Sequence, residues 1–447
     1  MRLRTLWITL VVLFLLIVGV MIGANIWVQS YLRSDAFRAM IEHKTGLALK
    51  LKAKYRPFQW SGSSVYSDQF AGGEGTGDIS AQRIRASFNL RSILDGAWRI
   101  NDLNIGRLDT VFSSKPAADH PIPPPDPVTG WRSYLPHRFE LDRITIGDAN
   151  FTWGTNSPGS GALQGTALNA TPANKGWNIT AKGGKLLMKK FPELSLQDAK
   201  IRTQQGSLYI TESHLRTGEN GNVQISGERS EDGDLNMEVQ WEKVPAQSLL
   251  KDPWDNRLSG TFEGNAKIKS TGGSEAVIKG KFLLTDGLLQ GIPMQTQIAN
   301  YTRQPEYERL PLQQLSADYV IRAGKVFINN LVAESKGLLR VEGECIVDHE
   351  ETITGTFKVG VTSQSLRWLP GSQARVFTVS QNGYLWATVH VGGTLKNPHE
   401  DLSSRLIAAA TGQVIDSAAG MIVNPVKTTK DVIKDAAHAI LPGLSLP

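Results

Sequence analysis

The stretch LRVEGECIVDHEETITGTFKVGV, residues 339–361, carries the fold in its spacing. Leu339, Val341, Gly343, Cys345 and Val347 fall on one phase, with Arg340, Glu342 and Glu344 on the other. Side chains of a strand point alternately to its two faces, so this spacing predicts one apolar and one polar side. After the polar residues His349-Glu350-Glu351 the pattern restarts, with Ile353, Gly355, Phe357, Val359 and Val361 set against Thr354, Thr356 and Lys358. Two such runs joined by a short link predict an antiparallel hairpin.

The same alternation extends outward in both directions. Ile144 and Ile146 alternate with Arg143 and Thr145, and turn signals recur at Gly183-Gly184, Asn220-Gly221, Asp232-Gly233, Gly272-Gly273, Asp286-Gly287 and Gly392-Gly393. The 43 glycines and 21 prolines favour many short strands over long helices. At about 15 residues per strand, the exported portion holds ~24 strands. A weak repeat of strand, Leu-centred link and strand runs through residues 84–109, 237–273 and 357–394. Strand units repeated in this way build an elongated, curved antiparallel sheet.

Toward the N-terminus the character changes. Residues 6–28 carry no charge and are long enough to cross a bilayer core as a helix. Leu6, Trp7, Phe14, Ile17, Trp27 and Val28 typify this anchor, with the two tryptophans near its ends, where indole rings favour the headgroup layer. The apolar run exceeds that of a signal peptide, and no small-x-small cleavage site follows it. The expected arrangement is an anchor over 1–28, made of a short cytoplasmic N-terminus and one transmembrane helix, followed by an exported body. Ser34-Asp35 then starts a short helix with Phe37, Met40 and Ile41 on one face, ending at Thr45-Gly46. A first strand alternates Leu49, Leu51 and Tyr55 with Lys50, Lys52, Lys54 and Arg56. The predicted divisions are 29–113 for this helix and the first strands, and 114–128 for a loop rich in proline. The sheet body covers 129–401 and an amphipathic helical tail 402–447, where Leu402, Leu406, Ala409, Val432, Ile433 and Ile440 keep helical spacing.

Charge and composition exclude several classes. The net charge of +6 is concentrated in residues 1–60, which hold nine Lys/Arg against Asp35 and Glu42. A basic excess beside a membrane segment suits anionic headgroups, whereas a nucleic-acid binder spreads it over the folded body. The single cysteine, Cys345, leaves no intramolecular disulfide. The eight histidines are scattered, and no nucleophile elbow, zincin motif, Walker loop or dinucleotide fingerprint is present. Asp142/Asp148 and Glu228/Glu231 read as solvated strand ends rather than a hydrolytic carboxylate pair. His390 has no evident carboxylate partner. No enzyme activity, cofactor or metal is expected. An apolar sheet face must still be hidden by a second sheet, by helices or by curving into a groove. Few helical patterns occur over 140–400, so helix cover is the least expected, while groove and sandwich stay open.

Several motifs together resemble the AsmA-like family. They are the anchor, the helix ending Thr45-Gly46, the strand-link-strand pattern over 84–105, GKF (280–282), DGLLQGIP (286–293), GLLRVEG (337–343), GGTLKNP (392–398) and DLS (401–403). The likeness covers both ends of the chain; over 110–235 it is general strand character alone. It implies a single-pass inner-membrane protein with a periplasmic β-rich body, related to bridge-like lipid-transfer proteins. It also implies phospholipids or other envelope lipids as partners, and a contribution to outer-membrane biogenesis. On this reading Leu339, Val341, Cys345, Val347, Ile353, Phe357, Val359 and Val361 line a lipid groove, and an envelope protein receives lipid at the far end. The alternative is a non-catalytic scaffold or assembly factor with the same strands closed into a sandwich.

Overall fold

The computed structural model describes residues 30–411 apart from 50, 74–76, 94, 113–137, 155–159, 190, 251–253, 293–294, 297–298, 300–303 and 368–370. The predicted anchor with Leu6, Trp7, Phe14, Ile17, Trp27 and Val28, the loop 114–128 and the tail beyond 411 lie outside these residues. Among the described residues no helix is long and apolar enough to cross a membrane. The fold is mainly β, with twenty-four strands and a few short helices among the described residues. The chain divides into two compact units between Leu215 and Arg216.

In the first unit the strands are β1 (Lys52–Tyr55), β2 (Gln59–Ser61), β3 (Ser64–Gly73), β4 (Gly77–Asn89), β5 (Ala97–Phe112), β6 (Arg138–Leu141), β7 (Ile144–Trp153), β8 (Gly161–Ala173), β9 (Gly176–Lys182), β10 (Lys185–Met188) and β11 (Leu194–Gln204). β12 (Ser207–Thr217) contains the unit boundary. β3 pairs with β1, β2 and β4, and β4 with β5, all antiparallel. The expectation of a wholly antiparallel sheet fails at the next step, because β5 pairs parallel with β6 and β7. Parallel neighbours need a connection of a dozen residues or more, and residues 113–137 separate β5 from β6 in the chain. The prolines within that stretch cannot donate to a ladder.

The helix Asp35–Leu49 closes one end of this sheet. Ser34 caps it, its hydroxyl accepting from the Phe37 N–H at 3.3 Å. The helix continues past Thr45-Gly46 to Leu49, so the first strand begins only at Lys52. Gly46 is needed there because a Cβ would lie 2.8 Å from the Leu51 carbonyl. Phe37, 1 % exposed, packs among Tyr31, Phe58, Trp60, Phe88 and Trp98, with ring centroids 5.6–6.4 Å away. Edge-on aromatic contacts of this kind add to the gain from burying the ring.

The second unit contains β13 (Gly221–Arg229), β14 (Leu235–Pro245), β15 (Leu258–Ser270), β16 (Val277–Gln290), β17 (Arg309–Leu312), β18 (Gln314–Arg322), β19 (Lys325–Ser335), β20 (Leu339–Val347), β21 (Ile353–Val361), β22 (Val379–Gln381), β23 (Tyr384–Gly393) and β24 (Pro398–Glu400). β13 to β16 pair in sequence; β18 to β21 follow, and β23 closes the array, every pair antiparallel. Aromatic rings repeatedly cover a glycine on the facing strand: Trp241 over Gly264, Tyr319 over Gly280, Phe357 over Gly343 and Trp386 over Gly360. A glycine weakens a strand, and the ring fills the space its missing side chain leaves.

Two expected turns are bulges inside continuing strands. Asp286-Gly287 lies within β16, where Asp286 has φ 52°. Gly183-Gly184 interrupts the line of β9 and β10, both of which pair with β8 and with β11. Many turns and the G1 type of bulge share a positive-φ residue, so glycine-containing dipeptides alone do not separate them.

β23 is an edge strand held at both ends, by β22 at 384–386 and by β24 at 391–393. Between these two, the Arg405 guanidinium donates to the Thr388 carbonyl and Asp401 accepts from the His390 N–H at 2.9 Å. The His390 ring also lies 3.2 Å from Asp401, so the partner missing from the sequence reading sits eleven residues on.

Candidate functional site

Alternation places all eight predicted groove residues on one face of the β20–β21 hairpin. The register pairs Leu339 with Val361, Val341 with Val359, Cys345 with Gly355 and Val347 with Ile353, and Phe357 faces Gly343. Neighbouring strands extend this face through residues the sequence reading passed over, including Phe262, Leu284, Leu315, Tyr319, Ile321 and Val326. Their signal is the period-2 spacing of 258–284 and 314–335, diluted by glycines and by the bulges at Asp286 and Asn330.

Three rows show how the face is treated along the strands. At one end Phe262, Leu284, Leu315, Ala333, Val341, Val359 and Ala387 follow each other in register. Here helices do cover the sheet, contrary to expectation. Ala246 and Leu249 of the helix Ala246–Leu249 pack on Phe262 and Leu284. Tyr307 and Leu310 meet Leu339. Leu402, Leu406 and Ala409 of the helix Leu402–Thr411 join Leu366 and Phe377 over Val359 and Val361. The expected short helical tail therefore begins as a lid. The cause is chain connectivity: the longer links between strands leave at this end, where their few apolar residues find the nearest unsatisfied surface.

The middle row passes through Val239, Ala266, Gly280, Tyr319, Ile328, Cys345, Gly355 and Val391. Burial pushes the Tyr319 hydroxyl up to about 12, and it donates to the Asn265 carbonyl at 3.0 Å. Burial also raises the Cys345 thiol, which is 7 % exposed and so an inert packing residue. A phenol whose folded pKa exceeds its unfolded 10.0 stabilises the fold fully below pH 10 and loses that contribution as pH climbs through 12. Tyr319→Phe is expected to make the alkaline fall in unfolding free energy shallower between these limits, as read by urea titration at stepped pH. An unchanged slope would count against this burial.

At the other end the strands are joined by tight turns. Met237, Ile268, Ile278, Ile321, Val326, Val347 and Ile353 form an unbroken apolar row across seven strands, each partly exposed. None of them joins the three covered clusters just described. At ~4.8 Å per strand the row extends about 29 Å.

The opposite face is mainly polar, with apolar exceptions that include Leu283, Val320, Phe327, Val332, Ile346 and Trp386. A concavity of about 710 Å³ opens on it between Gln240, Glu242, Glu263, Asn265, Lys281 and Asp318. Of its charged groups, Lys281 and Asp318 pair with each other, while Glu242 and Glu263 add further negative charge. Asn330 donates to Asp318 at 2.8 Å and Lys281 stands 3.3 Å away, which together hold the Asp318 carboxyl below its usual range.

The carboxylates considered for catalysis are dispersed. Asp142 pairs with Arg99 at 2.9 Å, Asp148 lies 3.7 Å from Arg107, and Glu228 and Glu231 are exposed. Among the described residues no three His, Cys, Asp or Glu side chains gather to hold a metal ion. No protein-family model, curated protein or solved structure matches the chain.

Proposed function

We propose that this is a membrane-anchored envelope protein that handles lipids, with acyl chains lying along the apolar face of the second unit. The observation that carries the reading is the row from Met237 to Ile353, apolar across seven strands and left without helical cover at the turn end. Each methylene taken from water onto such a surface is worth about 0.8 kcal/mol. The resemblance to AsmA-like proteins supports an inner-membrane anchor over 6–28, a periplasmic body and a role in outer-membrane biogenesis or phospholipid movement, with hand-over to another envelope protein. The covered row beneath the helix Leu402–Thr411 favours a second reading, a dry scaffold or assembly factor with no ligand. Mass spectrometry of organic extracts from the purified full chain separates the two. The lipid reading expects phospholipid in amounts comparable to protein, and uptake of a fluorescent phospholipid. Lipid-free extracts together with no uptake favour the scaffold.

A further inference from the structure

A second concavity, of about 540 Å³, lies in the first unit over β3, β4, β5 and β7, with Ile84 and Ile105 among its lining. Four strands change pleat phase along one line there. The ladder steps over Asp68, Arg83, Gly106 and Gly147, which are left between paired residues on either side. Arg83 has φ 54°, in the left-handed region that residues with a Cβ avoid. Its side chain lies over Gly106, where a Cβ would collide with it. The Arg85 guanidinium sits 5.2 Å above the Tyr66 ring, and Ser67, Asn104 and Thr145 complete the polar lining.

Several arginines on nearby strands are charge-matched, although among the described residues Arg56, Arg91 and Arg202 of the same unit are not. Arg99, Arg107, Arg138 and Arg143 each face a carboxylate. Among the described residues neither Arg83 nor Arg85 is in an ion pair; Asp68 lines the concavity without bridging to either. A strained backbone, a glycine that makes room for a guanidinium and two unmatched cations converge on one hollow. Guanidinium forks fit tetrahedral oxyanions, and the amide of Asn104 and hydroxyl of Thr145 add neutral donors. Two positive charges against the one of Asp68 leave a net attraction for an anion.

We infer that this hollow binds a phosphate group through Arg83 and Arg85. The inference is independent of the apolar face and stands or falls without it. A phosphate group can come from free phosphate or from a lipid headgroup, so two probes without acyl chains are used: inorganic phosphate and glycerophosphoglycerol. Each is titrated calorimetrically into the full chain in nonionic detergent at low ionic strength, where exposed charges are least screened. Saturable binding of at least one probe is expected, weakened tenfold or more in Arg83→Gly and in Arg85→Gln. A preference for glycerophosphoglycerol assigns the headgroup, and a preference for inorganic phosphate, or equal binding of the two, assigns the free anion. Arg83→Gly is the decisive variant, because glycine adopts positive φ freely and the fold is retained or strengthened. Failure of both probes to saturate overturns the site, as does undiminished binding by the two variants.

Discussion

Phe37→Ala is expected to lower the unfolding free energy of the first unit by about 3–5 kcal/mol, the range for deleting a buried aromatic ring. The ring is 1 % exposed and is the common partner of Tyr31, Phe58, Trp60, Phe88 and Trp98. Its loss leaves a void between the helix Asp35–Leu49 and β3–β5 that rigid neighbouring rings cannot collapse to fill. Urea unfolding followed by tryptophan fluorescence reads it directly, since Trp60 and Trp98 belong to the cluster. Leu47→Ala on the same helix is the comparison: Leu47 is 49 % exposed and should change stability by no more than ~0.5 kcal/mol. A Phe37→Ala loss below about 1 kcal/mol would show that the helix does not depend on this contact.

The second large effect separates the two ends of one strand. Leu284 and Ile278 lie on the same face of β16, six residues apart. Leu284 is 0 % exposed beneath Ala246 and Leu249, whereas Ile278 belongs to the row without helical cover. Leu284→Asp should cost at least ~4 kcal/mol, the lost packing plus the penalty for a carboxyl with no partner. Ile278→Asp should cost ~1–2 kcal/mol, preserve the fold and reduce recovered phospholipid at least fivefold. Circular dichroism with lipid extraction on both variants reads the contrast. If both unfold alike, the face is sealed along its whole length and the lipid proposal loses its surface.

Much of this was legible in residue spacing. Period-2 alternation over 339–361 predicts the β20–β21 face and its register, and Ser34 before Phe37 predicts the capped helix. The lid was hidden because Leu366, Phe377, Leu402 and Leu406 act through distant contacts, not local periodicity. The parallel step at β5 depends on where the chain returns after residue 112, which prolines limit but do not direct. Asp286-Gly287 reads equally as turn or bulge, since both can use one backbone conformation. Arg83 gave no signal at all: nothing in its neighbours along the chain announces a left-handed backbone, which emerges only when four strands shift phase together.

The clasp on β23 has a consequence for how many copies can be handled together. An exposed strand margin is a template on which another chain can crystallise its own backbone, layer upon layer. Here Arg405 occupies one such acceptor and Asp401 one such donor between the stretches that β22 and β24 already pair, so little of that margin is left to seed fibril growth.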